Sequence, residues 1–255
     1  MGYVFDFQDA ASDERWFHDS QNQAVVAIQN RLMLEMIHPV FGQRLLDIGC
    51  GTGAGLKPFL DLGIQLTGID PSPYMLDVAR EKFGHRVDLH WGHAEELPFD
   101  DNAFHWAVMC MSLEFCDDPE KALEEACRVA KDGVFVGFVN KYAFKSAKRR
   151  MRGIFTRSIQ KKVRFFGIRE VRRLFFKILG DVPMECRTVC PLPGFFPKMT
   201  ARLESTRIMQ RSPFGAFAGV IALPVPRFRT TPLTLTSPAN RIAPAESRVA
   251  SCAEK

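Results

Sequence analysis

The sequence predicts an α/β fold, a doubly wound and mostly parallel sheet of seven strands with a helical cap and lid. Three observations carry this. Between residues 44 and 139, strand-like apolar runs alternate with helical patterns, as βαβ units do. The runs are almost continuously apolar, as strands covered on both faces are. The first run breaks into LLDIGCGTGAG (Leu45–Gly55), where four glycines and an aspartate mark a backbone-exposed loop.

In chain order, Val25, Ile28, Leu32 and Met36 recur at helical spacing and make 20–38 an amphipathic helix before the first strand. Residues 44–49 (RLLDIG) read as a short buried strand, and 53–63 (GAGLKPFLDLG) as a helix stopped by Gly63. A second strand, 64–70 (IQLTGID), ends on an acid. Ser72 caps and Gly84 closes a helix over 72–84. Strands three and four are 86–92 (RVDLHWG) and 104–112 (FHWAVMCMS). Asp118 as N-cap, Pro119 in the first turn and Gly133 at the end frame a helix over 118–133, followed by strand five at 134–139. Past 140 the rhythm breaks, then resumes with a helix at 168–179 and strand-like runs at 184–190 and 215–223.

These segments give a helical cap (1–40), a ligand-binding core (41–140), a basic lid insert with its helix (141–180), closing strands (181–223) and a proline-rich tail (224–255) expected to be poorly ordered. An apolar share of 46% and a charged share of 25% suit a soluble globular chain of 255 residues. No apolar run approaches the ~20 residues that span a bilayer, and the N-terminus lacks the basic and apolar regions of a signal peptide. Seven scattered cysteines form neither a disulfide framework nor a metal site, which points to a reducing, cytoplasmic setting and no metal.

In a doubly wound sheet the first strand-to-helix loop faces the ligand. Triphosphate binding needs Lys-Ser or Lys-Thr after the last glycine, and neither is present. Gly49 to Ala54 satisfies the dinucleotide pattern G-x-G-x-x-A, with Asp70 where a ribose-binding acid belongs. Asp47 decides between the ligands. An acid two residues before the first glycine repels a pyrophosphate and suits a ligand that carries an ammonium and a sulfonium.

At this point the chain resembles the class I S-adenosylmethionine-dependent methyltransferases, whose first motif is a D/E-x-G-x-G-x-G loop. Asp47, Gly49, Gly51 and Gly53 occupy its positions. The likeness continues through GIDPSPYMLDVAR (68–80), GHAEELPFDDNAF (92–104) and RVAKDGVFVGFVNK (128–141), close over 15–141 and looser over 142–223. It implies a Rossmann-like methyltransferase fold with S-adenosyl-L-methionine as cofactor. The implied binding set is Asp47, Gly49, Cys50, Gly51 and Gly53 in the loop, then Asp70 on the ribose with Pro71, and Met75 near the adenine. His93, Ala94 and Glu95 form the adenine-side loop, and Met111 closes the set. Two positions depart from the family: His93 and His105 stand where an aspartate is usual.

The implied activity is methyl transfer to a small-molecule acceptor, anionic or lipid-like. Alternatives are a non-catalytic cofactor-binding regulator, an RNA-binding protein, and a NAD-dependent oxidoreductase. The last would need a Tyr-x-x-x-Lys relay, which the chain lacks. Neither the Asn/Asp-Pro-Pro-Tyr/Phe motif nor the cysteine pair of RNA cytosine methyltransferases appears, which favours a small acceptor. Candidate bases are Glu114, Tyr142 and His18. Residues 141–177 hold fourteen Lys or Arg and one acid, a net of +13 in a chain of +5 overall, so the remainder carries −8. The run reads as a lid first, a contact for an anionic acceptor or membrane surface second, and a nucleic-acid contact third.

Overall fold

The computed structural model describes residues 3–142, 163–189 and 215–224. Within them, β1 (Arg44–Ile48), β2 (Gln65–Asp70), β3 (Val87–Trp91), β4 (Phe104–Cys110), β5 (Ala130–Val139), β6 (Met184–Val189) and β7 (Phe217–Ala222) form one sheet. Its order is β3-β2-β1-β4-β5-β7-β6. All pairs are parallel except those of β7, which runs antiparallel to β5 and β6. The expected seven-stranded, mostly parallel sheet is what forms.

Alternation along the strands sets the layers. Leu46, Ile48, Ala107, Met109, Val134 and Val136 pack on one face with α4 (Pro119–Val129) and α5 (Ile168–Leu179). Leu45, Leu66, Val108 and Phe135 pack on the other with α2 (Ser20–Ile37) and α3 (Pro73–Phe83). Asp47 has the parity of Leu45, so it stands at the tip of β1 on the α2/α3 face. The chain winds outward through β2 and β3 and then returns to pair β4 on the other side of β1. The β1 and β4 tips are therefore the switch point where such sheets open a crevice.

Two expectations are corrected. Residues 53–63 are not an α-helix: turns surround a single 3-10 turn at Lys57–Phe59. Gly51 and Gly53 sit at positive φ, and Pro58 removes a donor, so no i→i+4 ladder can propagate. The fourth helix ends at Val129 rather than Gly133, and β5 already begins at Ala130. Gly133 is required because a Cβ there would lie 2.0 Å from the Trp106 ring, where the β4–β5 register shifts. Within the segment expected as a helical cap, α1 (Phe7–His18) precedes α2 and is capped by Asp6 and Asp9 in a reciprocal box. The 224–255 tail beyond Pro224, Cys190 and most of the basic run lie outside the described residues. No helix among the described residues is long and apolar enough to cross a membrane.

The loop from β3 to β4 is held by one arginine. Arg128 of α4 donates to the carbonyls of Phe99 (2.7 Å) and Leu97 (3.0 Å), while Glu125 binds Arg128 and accepts from Leu97 N. Replacing Arg128 by Met would strand those acceptors and the Glu125 charge. A loss of about 2–4 kcal/mol is expected in denaturant unfolding, whereas Lys121→Met, at an exposed pair, should change stability by under about 0.5 kcal/mol.

Candidate active site

One cavity opens at the tips of β1, β2, β3 and β4, and the backbone builds it before any side chain enters. Gly49 N and Cys50 N donate to Ile69 O (2.8 and 3.1 Å), folding the glycine loop across the end of β2. A Cβ on Gly49 would meet Ser112 Cβ at 2.4 Å, and Ser112 Oγ donates to Ile48 O (2.6 Å), so the β1 and β4 loops are sealed together there. Gly53 is packed against Phe83 and faces away from the cavity. Gly51 differs: at φ +52° its missing Cβ would meet only Met75 Sδ, at 4.0 Å, and would project into the cavity. Backbone is thereby bared to a ligand.

Of the twelve residues expected to bind cofactor, eleven line this cavity: Asp47, Gly49, Cys50, Gly51, Asp70, Pro71, Met75, His93, Ala94, Glu95 and Met111. Gly53 supports the loop from behind. Met111 takes a positive φ of 56°, a strained conformation for a residue with a side chain. Glu95 Oε1 accepts from Asp117 N (3.0 Å), tying the β3 loop to the loop after β4.

The electrostatics of the cavity are one-sided. Asp70 accepts from Gly51 N (2.9 Å) and Ser72 N (2.8 Å), yet burial still holds its carboxyl above the ordinary range. Asp47 is 3% exposed and takes no hydrogen bond from any described residue. Burial, and next the charge of Asp70, push it up to about 7. Asp13 of α1 accepts from Thr52 Oγ1 (3.0 Å) and is pushed up to about 6, chiefly by burial. Four acids, Asp13, Asp47, Asp70 and Glu95, thus wall the cavity, and no Lys or Arg is among its described lining residues.

The three candidate bases fall elsewhere. Glu114 is buried off the cavity, where Oε1 accepts from Val139 N (3.0 Å), Oε2 has no partner and burial lifts the carboxyl to about 7. It fastens the loop after β4 to the end of β5. Tyr142 is exposed and lies over Gly167. His18 is at the surface beside Glu14. His105, one of the two departures, accepts from Arg44 N (3.0 Å) through Nδ1 and joins β4 to β1 far from the cavity.

The N-terminal segment, expected as a helical cap, reaches the cavity through residues other than His18. Tyr3 N donates to Phe115 O (3.2 Å), and Ser72 Oγ, besides capping α3, donates to Phe5 O (2.6 Å). A strap, 3–5, therefore crosses from the β2 loop to the β4 loop. Behind it α1 is pinned through Asp13–Thr52 and through Lys82, which binds both Glu14 and Thr52 O (3.1 Å). The Asp6-x-x-Asp9 box was the available sequence signal.

Residues 46–138 match the family described as a methyltransferase domain. A demethylmenaquinone methyltransferase of Renibacterium salmoninarum is 33% identical over 129 residues, 50% of this chain and 53% of the relative. A malonyl-[acyl-carrier protein] O-methyltransferase of Buchnera aphidicola is 37% identical over 111 residues, 44% of each. The chain spans about half the length of these curated relatives. A solved S-adenosylmethionine-dependent methyltransferase from Thermotoga maritima, 26% identical, superimposes with a TM-score of 0.63 over 85% of this chain and 96% of its own. Residues 46–138 thus match a methyltransferase domain, and the chain shares the fold of a solved S-adenosylmethionine-dependent methyltransferase.

The acids set a pH dependence for the ligand-free protein. Asp47 ionises near 3.9 in the unfolded chain and at about 7 in the fold, so between those values the fold binds more protons. Stability should fall as pH rises from about 4 to about 7 and level off above, with Asp13 adding over the lower part. Asp47→Asn should flatten the slope and raise the melting temperature at pH 8, as measured by thermal unfolding.

Proposed function

We propose that this chain transfers a methyl group from S-adenosylmethionine to a small-molecule acceptor. The observation that carries the reading is Asp47, buried at the cavity wall beside Asp70, with no cation or donor from the described residues. Such a carboxylate is costly unless a positive ligand group answers it. The ammonium and sulfonium of this cofactor fit the need, and a dinucleotide's pyrophosphate would add negative charge to the same acids. Each Asp70 oxygen accepts one backbone N–H and keeps a lone pair, so the carboxylate can still take both ribose hydroxyls. Met75 and Ala94 would flank the adenine, and His93 would accept from its amino group through a neutral ring nitrogen.

When bound, the cofactor supplies a methyl group already made electrophilic by its sulfonium. The chain's own part is to orient and enclose. The strap and α1 cover the cavity and exclude water, and the sealed β1–β4 loops fix the direction of approach. The two relatives are named for different acceptors, demethylmenaquinone in one and malonyl-[acyl-carrier protein] in the other, so their names do not choose the acceptor.

The basic run serves the same site as a lid, a role supported where it ends: Val163 and Phe165 pack with Tyr3, Phe5 and Phe115. Farther on, α5 turns Arg169, Arg172, Arg173 and Phe176 outward, a face suited to an anionic membrane surface. A reducing, cytoplasmic setting suits Cys50, Cys110, Cys116 and Cys186, which form no disulfide among the described residues.

Titration calorimetry should show S-adenosylhomocysteine binding and no binding of NAD. Asp70→Asn should weaken S-adenosylhomocysteine at least ~10-fold, about 1.4 kcal/mol. NAD binding, or no response to S-adenosylhomocysteine, would overturn the reading. Sedimentation with phosphatidylglycerol vesicles, lost in 0.5 M salt and in Arg172→Glu/Arg173→Glu, checks the α5 surface; salt-insensitive or absent binding removes it.

A further inference from the structure

The geometry points to a hinged cover: α1, with the strap before it, swings about Asp19 to admit and release the cofactor, and Lys82 is the positioning residue that latches it shut. This deepens the methyltransferase reading and rests on it for the identity of the ligand.

The hinge is a feature of the backbone. α1 stops at His18 and α2 starts at Ser20, so a single residue with extended backbone, Asp19 (φ −67°, ψ 125°), joins the two helices. A helix on a one-residue joint can turn as a body while its own hydrogen bonds stay intact. Asn22 Nδ2 donates to Trp16 O (3.1 Å) across the joint, which keeps the pivot in place. The helix is also lightly anchored. Of its twelve residues only Ala10 is buried, whereas α3, with eleven, buries Met75, Leu76, Ala79 and Phe83. An element with so little apolar burial leaves the fold at low free-energy cost.

Polar ties hold it closed. Asp13, Trp16 and Phe17, at i, i+3 and i+4, share one face and line the cavity together with Gly51 and Asp70, so a ligand there lies between helix and loop. Asp13 accepts from Thr52 Oγ1 (3.0 Å), and Thr52 stands between Gly51 and Gly53 in the glycine loop. Lys82 of α3 donates to Thr52 O (3.1 Å) and to Glu14, clamping the loop and α1 together. Neither Lys82 nor Glu14 is among the residues that line the cavity, so the clamp acts from outside it. Ser72 Oγ fastens the strap at Phe5 O (2.6 Å). Ligand contacts made only by the closed form shift the population toward it, and a clamp of partly solvated charges is weak enough to release.

Hydrogen exchange and ligand kinetics on the full chain test the cover. In the ligand-free protein α1 amides should exchange at least ~10-fold faster than those of α4, and S-adenosylhomocysteine should slow α1 at least ~10-fold. In stopped-flow displacement, Lys82→Met should release S-adenosylhomocysteine at least ~3-fold faster than the unaltered chain, and Lys82→Arg, which keeps the clamp, at a near-normal rate. Arg80→Met breaks the Arg80–Asp77 pair on the same helix and should change neither readout. The α4 amides, on the opposite face of the sheet, report that each variant is folded. Exchange of α1 as slow as that of α4, no slowing by S-adenosylhomocysteine, or a normal release rate in Lys82→Met overturns the cover and leaves the cofactor reading standing. Failure of S-adenosylhomocysteine to bind overturns both.

Discussion

A carboxylate at the cavity wall that no described residue pairs is the constraint on which the rest of this structure depends. Asp47 sits at the tip of β1, where the sheet reverses its winding, and is 3% exposed. Its neighbours raise the cost: Asp70 is close enough to disfavour its ionisation, and Gly55 packs so tightly that a Cβ there would lie 2.8 Å from Asp47 Oδ2. A fold selected for stability alone would put a leucine or an asparagine here. The retained acid is legible as a ligand group, stored at a cost of order a few kcal/mol until a cation arrives.

The glycine loop and the N-terminal strap both follow from that acid. The loop must bring bare backbone to the ligand that Asp47 holds, which Gly51 does, while Gly49 and Gly53 give way to Ser112 and Phe83 behind it. The strap and α1 line the same cavity as Asp47. Asp13 couples the two: its hydrogen bond to Thr52 joins the cover to the loop it covers.

Much of this was legible in the sequence because the relevant signals are local. Asp47-x-Gly-x-Gly-x-Gly, Ser72 with Gly84, and Asp118-Pro119 each declare a strand end or a helix boundary within a few residues. What was not legible depends on contacts distant in sequence. Gly133 reads as a helix stop until Trp106, 27 residues earlier, is seen to occupy its Cβ position. Glu114 reads as an acid near the site, but its distance from the cavity is set by pairing with Val139 at the end of β5. The role of Tyr3, Phe5 and Phe115 requires the N-terminus to return across two strand tips, which no spacing in the chain encodes.

The central claim concerns a proton. If a cationic ligand answers Asp47, binding must drive that carboxyl from its protonated to its ionised form below pH 7. Calorimetric titration of S-adenosylmethionine at pH 6.5, repeated in buffers of different ionisation enthalpy, counts the protons exchanged. Net release that fades by pH 8 and disappears in Asp47→Asn is the outcome this account requires; uptake, or no exchange in the unaltered chain, would contradict it.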